Sequence, residues 1–279
     1  MLVEFRHDSG VVVLRSPLLA DAGFAHAFST RLGGVSTGPF ESLNLQSVQA
    51  NARIADTEPR DLKMCDLEPN IHENHARFFD AARIGRDTRV LDVSQVHGCT
   101  VVAASDAAHA RLAADAITSA PGEHAILVRI ADCVPVLVAD PGSGLVAAVH
   151  AGWRGVVAEI VPAALRALES RGARRESCIA AIGPCILARH FEIGPEVAEA
   201  LAGAQLADCV VPPGTFGPKH HADLVLGVRM QLERAGLSLD RIDAEPPCTY
   251  ANSARFHSFR RDGARSGRLA ALIAPAASR

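Results

Sequence analysis

Three short apolar runs follow one another in mid-chain: Ala125–Ile130, Val134–Ala139 and residues 145–149. Each is continuous and rich in β-branched residues, the pattern of strands buried on both faces. The turn Pro141-Gly142-Ser143-Gly144 makes the last two a hairpin. Shorter β-rich runs at 11–14, 25–30, 90–96, 100–104, 177–182, 242–244 and 270–273 read as further strands. Helical spacing is found at 72–83, where Ala76, Phe79 and Ala82 share a face, and at 156–170, where Gly172 marks the stop. Residues 195–204 and 224–235 also read as helices. Strands and helices alternate without a strict βαβ rhythm, which predicts an α/β chain with a mixed sheet. Residues 46–70 are polar and irregular, with Pro59 and Pro69, and read as a surface insertion within a single domain spanning 1–279.

The formal net charge of -3 gives no general pull toward nucleic acid or an anionic membrane. Aromatic residues make up 4% of the chain, too few for a platform that stacks single-stranded bases. The longest apolar runs are cut by Asp140, Pro141 and Gly142 before reaching membrane-spanning length. The first residues carry Glu4, Arg6, His7 and Asp8 and lack the form of a signal peptide, so a cytoplasmic protein is expected. The seven cysteines are widely spaced and form no CxxC pair, which argues against a local zinc knuckle.

Three residues share one context. His97 ends a strand in Gln95-Val96-His97-Gly98, Cys133 lies between two apolar strands in Ala131-Asp132-Cys133, and His150 ends a strand before Ala151-Gly152-Trp153-Arg154-Gly155. Strand ends that open into Gly-rich turns are favoured places for catalytic groups. Imidazole with thiolate favours a zinc-like ion, and three protein ligands leave a fourth position for a reactant. Two core histidines and a core cysteine would give the same letters, since no spacing rule ties residues so far apart. Asp132 and Asp115 are flanked by apolar residues; each could orient a histidine or move protons, or could be a hydrogen-bonded turn aspartate. The Gly152–Gly155 turn before a helix suits an anion, with Arg154 as a bidentate partner, and is also a plain tight turn. In residues 256–263, Phe alternates with His, Ser and Arg, as in a solvated face or a loop that closes over a ligand.

Taken in order, these segments resemble one family. They are Phe28-Ser29-Thr30-Arg31-Leu32-Gly33-Gly34-Val35-Ser36, Ser42-Leu43-Asn44-Leu45, the three ligand segments, Ile182-Gly183-Pro184-Cys185 and the Phe256-to-Gly263 block. The family is that of the laccase-domain proteins, long called multicopper polyphenol oxidases and regarded as purine nucleoside phosphorylases with adenosine deaminase and methylthioadenosine phosphorylase activity. The resemblance implies a layered α/β/β/α fold similar to the catalytic domain of cytotoxic necrotizing factor. It implies zinc held by His97, Cys133 and His150, with copper as the competing metal. Asp132 and Asp115 would assist catalysis, and Arg31, Asn44, Arg154, His257 and Arg260 would contact substrate or phosphate. The expected reactions are phosphorolysis of adenosine, inosine, guanosine and methylthioadenosine and deamination of adenosine, by a monomer or homodimer. One departure stands out. The family's Asn-Arg pair before the first ligand, whose Arg helps hold phosphate, is matched here by Asn74-His75, with Arg77 two residues on. The family's acidic stretch after Asn-Leu is not recognisable in 46–70. Three rivals remain: a copper polyphenol oxidase, a metal-free cysteine hydrolase with Cys133 as nucleophile and His150 as base, and a non-enzymatic metal- or nucleoside-binding protein.

Overall fold

A computed structural model describes residues 1–47, 66–85, 87–108 and 110–276. Its strands, in chain order, are β1 (Val3–Arg6), β2 (Val12–Arg15), β3 (His26–Ser29), β4 (Val90–Asp92), β5 (Val101–Ala103), β6 (Ala116–Ser119), β7 (Ala125–Ile130) and β8 (Val134–Ala139). They continue as β9 (Val146–Ala151), β10 (Ile179–Ile182), β11 (Glu192–Ile193), β12 (Val210–Val211), β13 (His220–Ala222), β14 (Ile242–Asp243) and β15 (Leu269–Ile273). The helices are α1 (Pro17–Asp21), α2 (Glu68–Ala81), α3 (Ala104–Ala107), α4 (Trp153–Val157), α5 (Ile160–Ser170), α6 (Pro195–Gly203), α7 (Leu224–Arg234) and α8 (Phe259–Asp262).

The strands form two six-stranded sheets, ordered β1-β2-β3-β15-β7-β4 and β14-β10-β8-β9-β6-β5, and a small sheet β11-β13-β12. Most neighbours are antiparallel, but β4 with β7, β5 with β6 and β10 with β14 run parallel, so both large sheets are mixed. The sheets pack face to face. Phe28, Ile126, Val128 and Ala271 of the first meet Leu137, Val146, Ala148 and Ala181 of the second. The outer face of the second sheet, with Val136, Val138 and Val149, is covered by Ile160, Ala164 and Leu168 of α5 and Val228 and Leu232 of α7. The outer face of the first, with Leu127, Ala270 and Leu272, is covered by Phe78 and Ala81 of α2 and by Leu43 and Leu45. The order is therefore helix, sheet, sheet, helix. This layering explains the unbroken apolar runs, since all six residues of β8 and all six of β9 are buried.

Several expectations are corrected. The helix read at 156–170 is two helices, because Pro162 lacks an N–H and its ring would clash with the carbonyl of Ala158; the chain turns at Glu159 with φ 61° and restarts. The strand read at 90–96 stops at Asp92, where the chain leaves the first sheet and Ser94 pairs with Ala113 instead. The irregular stretch expected at 46–70 lies, over 48–65, outside the described residues. Its last residues, 68–70, are the first turn of α2, and Ser47 and Asp66 are buried. Strands β1, β6 and β11 to β13 and the short helices α1, α3 and α8 stand where no element was read. Helix α1 starts on Ser16, whose side chain accepts from Leu19 N–H at 3.4 Å, with Pro17 in the first turn.

One crossing places the site. β7 belongs to the first sheet and β8 to the second, so Ala131-Asp132-Cys133 is the strap between them. Asp132 takes φ 92° there, in the left-handed region, to make the turn.

Candidate metal centre

His97, Cys133 and His150 converge at that strap, and their ligand atoms all lie within 4.8 Å of one another. Among the described residues this is the one group of three or more His, Cys, Asp or Glu side chains spaced to hold a metal. Cys133 Sγ is 3.9 Å from His97 Nε2, and the two imidazoles meet edge to face with centroids 4.8 Å apart. Tetrahedral zinc with nitrogen and sulfur ligands sets its ligand atoms about 3.5 Å apart, so the donor set and spacing fit such an ion. Gly152 makes room for the group. A Cβ there would stand 3.0 Å from the His97 ring and 3.3 Å from Cys133 Sγ.

Asp115 organises two of the three ligands. It is fully buried, and its carboxylate accepts from the backbone N–H groups of Val96, His97 and Gly98 at 3.3, 2.9 and 2.6 Å. These bonds hold the turn in which His97 takes φ 61°. The same carboxylate accepts from His150 Nδ1 at 2.8 Å, which leaves Nε2 for the centre. Burial pushes the Asp115 carboxyl up, but the His150 ring and the Gly98 and His97 N–H groups outweigh it and hold it below the usual range. Burial also pushes the Cys133 thiol up; the His150 charge and the bonds to both imidazoles overcome this and bring it down to about 6. His150 is held high by Cys133 and Asp115 against its own burial. Both shifts favour a thiolate beside an imidazolium, the form of sulfur that ligates a metal.

Asp132 faces the other way. Its carboxylate accepts from Thr249 Oγ1 at 2.6 Å, Ser258 Oγ at 3.0 Å and Arg260 N–H at 2.6 Å, and its carbonyl from Ile186 N–H at 2.9 Å. It therefore fastens the 256–263 segment over the strap. A cavity of about 170 Å³ opens beside the ligands, walled by Trp153, Phe191 and Phe259. Arg154 lies over the Trp153 ring at 4.3 Å and Arg260 over Phe191 at 5.1 Å, and both line this cavity.

The other residues singled out in the sequence lie outside it. Arg31 is tied to the carbonyls of Glu41 and Ser253. Asn44 is fully buried and bonds Asp66 at 2.9 Å and Arg268 N–H at 2.8 Å. Asn74 pins the 35–44 loop through Val35 N–H, Ser36 Oγ and the carbonyls of Ser42 and Asn44. His75 turns its Nε2 to Leu45 O at 3.3 Å, and Arg77 pairs with Glu73 at 2.7 Å. His257 is fully buried; burial first, then the Arg31 charge, lowers it to about 3. One residue was missed. Arg268 enters β15 half-buried, lies 5.9 Å over Phe259, and is close enough to Cys133 and Asp132 for both to favour its charge against burial. Its one signal in the sequence is a lone guanidinium directly before a buried apolar strand.

Comparison with known proteins agrees with this architecture. The model of the family described as multi-copper polyphenol oxidoreductase laccase matches residues 25–276. A Deinococcus radiodurans protein named purine nucleoside phosphorylase is 35% identical over 264 residues, covering 95% of this chain and 93% of that one. A Shigella flexneri protein named purine nucleoside phosphorylase YfiH is 33% identical, covering 95% and 98%. Among solved structures, YlmD from Geobacillus stearothermophilus superposes with TM-score 0.79 at 25% identity over 99% of both chains. The Neisseria meningitidis protein NMB0706 superposes with TM-score 0.73 at 28% identity over 99% and 98%. With nearly its whole length matched, this chain belongs to the multi-copper polyphenol oxidoreductase laccase family, whose relatives cited above carry the name purine nucleoside phosphorylase.

Proposed function

We propose that the protein is a zinc-dependent purine nucleoside enzyme that cleaves adenosine, inosine, guanosine and methylthioadenosine with phosphate and deaminates adenosine. The observation that carries this reading is the set His97, Cys133 and His150, backed by Asp115 and opening on an aromatic-walled, cation-rimmed cavity. Zinc bound by these three would supply Lewis-acid polarisation at neutral pH. The relatives' names support the phosphorolytic half.

The chain's own residues have definable work. Trp153, Phe191 and Phe259 offer flat apolar faces for a purine. Arg154 and Arg260 line the cavity with guanidinium groups that can hold a phosphate dianion by paired N–H bonds, and Arg268, over the Phe259 ring, adds a third positive charge near Cys133 and Asp132. In phosphorolysis a phosphate oxygen attacks C1′ while the C1′–N9 bond breaks, its electron pair leaving with the purine, which then takes a proton. Positioning and charge stabilisation by the arginines lower that barrier. In deamination, water adds at C6 and ammonia leaves. Asp132, saturated by Thr249, Ser258 and Arg260, keeps the covering segment in place, whereas Asp115 keeps His150 in its ligating tautomer.

The test is incubation of purified protein with adenosine and phosphate, with separation of adenine, hypoxanthine and inosine, alongside metal analysis by emission spectroscopy. About one zinc per chain, with adenine formed and its yield abolished by Cys133→Ala, is the expected result. Several coppers per chain would favour the oxidase. Activity that survives full metal removal would favour Cys133 as a nucleophile. No product above the Cys133→Ala control defeats the enzyme reading.

A further inference from the structure

A second cavity, of about 440 Å³, opens at edge strand β4 and shares no lining residue with the metal cavity. Arg89, Arg111 and Arg129 line it, and Asp92 is the one carboxylate among its described lining residues. Arg111 Nε binds Asp92 Oδ1 at 2.8 Å, and Arg129 Nη1 pairs with Asp92 Oδ2. Arg111 Nη2 also donates to Val93 O at 3.0 Å, Arg129 Nε to Leu45 O at 2.6 Å and Arg89 Nη2 to Ala108 O at 2.8 Å. These bonds leave Nη2 of Arg129, Nη1 of Arg111, and Nε and Nη1 of Arg89 with no acceptor among the described residues. Among the described residues, three cations therefore face one anion. The Arg129 side chain is only 11% exposed, where surplus positive charge is costly unless an anion shares it. His75 adds no charge: burial first, then the Arg129 charge, lowers it to about 4. It stacks on Phe79 at 5.7 Å, and the two rings form one wall.

We propose that this cavity is a second anion site, which takes a phosphate ester or diphosphate group between Arg89, Arg111 and Arg129. Phosphate oxygens match the free guanidinium edges and neutralise the charge that Asp92 leaves over. The site is separate from the metal centre and does not require the nucleoside reading.

Calorimetric titration of inorganic pyrophosphate into zinc-depleted full-length protein tests this. A saturable site distinct from the one at Arg154 is expected, weakened about tenfold by Arg89→Ala and by Arg111→Gln and unchanged by Arg154→Ala. Arg89 holds only Ala108 O, so its variant reads the site even if Arg111→Gln fails to fold. Zinc-loaded Arg89→Ala is expected to keep wild-type nucleoside cleavage, so a failure of that activity in both proteins leaves the binding result standing. Absence of saturable binding overturns the proposal. So does binding that Arg154→Ala abolishes and Arg89→Ala leaves intact.

Discussion

Asp115 does more for the centre than any residue that would touch the metal, because one carboxylate fixes both the His97 turn and the His150 ring. Asp115→Asn keeps the shape but cannot accept all four hydrogen bonds, and its amide can turn an N–H toward His150. The expected outcome is a loss of about 10- to 100-fold in zinc affinity with the fold retained, measured by competition with a chromophoric chelator. Affinity equal to the wild type would show that His150 holds its orientation unaided. This residue was half legible. Its apolar surroundings in the sequence require a partner for a buried carboxylate, but two histidines 18 and 35 positions away give no spacing by which to choose one. Gly-rich turns close behind His97 and His150, and the place of Cys133 between two apolar strands, drew the eye to the three ligands, but only the resemblance to a family set them apart from core residues. Arg268 was not, because a single guanidinium has no period, and only the sheet pairing brings it toward Cys133 and Asp132.

The most legible strands are those buried on both faces, whereas α6 and α7 were legible from the period of a single apolar face. Strands β7, β8 and β9 appear in the sequence as unbroken apolar runs because a sheet lies against one face and a helix or second sheet against the other. Strand β1 was not, since Val3, Glu4 and Arg6 are exposed and only Phe5 is partly covered. Strands β11, β12 and β13 have two or three residues each, fewer than one period of any pattern. The contact between the sheets makes its own prediction at the end of β10. A Cβ on Gly183 would stand 2.1 Å from the Phe28 ring, which is fully buried in the layer between the sheets. Gly183→Ala therefore forces ring or strand to move, and overpacking of this kind costs about 1–3 kcal/mol. A lowered urea midpoint with an unchanged slope is the expected readout. The double variant Gly183→Ala with Phe28→Leu should recover part of the loss if the ring is the obstacle, and no recovery would place the strain in the backbone.

The molecule as a whole keeps several histidines neutral inside its layers, and this sets how it meets acid. His26 lies beneath Ser16: its Nε2 accepts from Ser16 N–H at 2.8 Å and its Nδ1 donates to Phe24 O at 2.9 Å. Burial, partly opposed by the Phe24 carbonyl, lowers it to about 4, and burial with the Arg31 charge lowers His257 to about 3. In the unfolded chain both titrate near 6.5, so below that pH the unfolded state binds more protons than the folded one. Their contribution is fully present above about pH 6.5 and is lost as pH falls toward the folded values, by about 3 kcal/mol for His26 and about 5 kcal/mol for His257 as upper bounds. The carboxylates held low, Asp92, Asp115 and Asp140, act in a different window, because their unfolded values lie near 3.8. A drop between pH 6.5 and 4.5 therefore belongs to the buried histidines, with a smaller share above about pH 5.5 from the Cys133 thiol held at about 6. Urea unfolding of zinc-depleted protein at pH 7, 5.5 and 4.5 should show stability falling by several kcal/mol across that range, with His26→Gln losing part of the slope. Stability that stays level down to pH 4.5 would mean that water reaches both rings, and that the space between and around the sheets is less closed than their burial indicates.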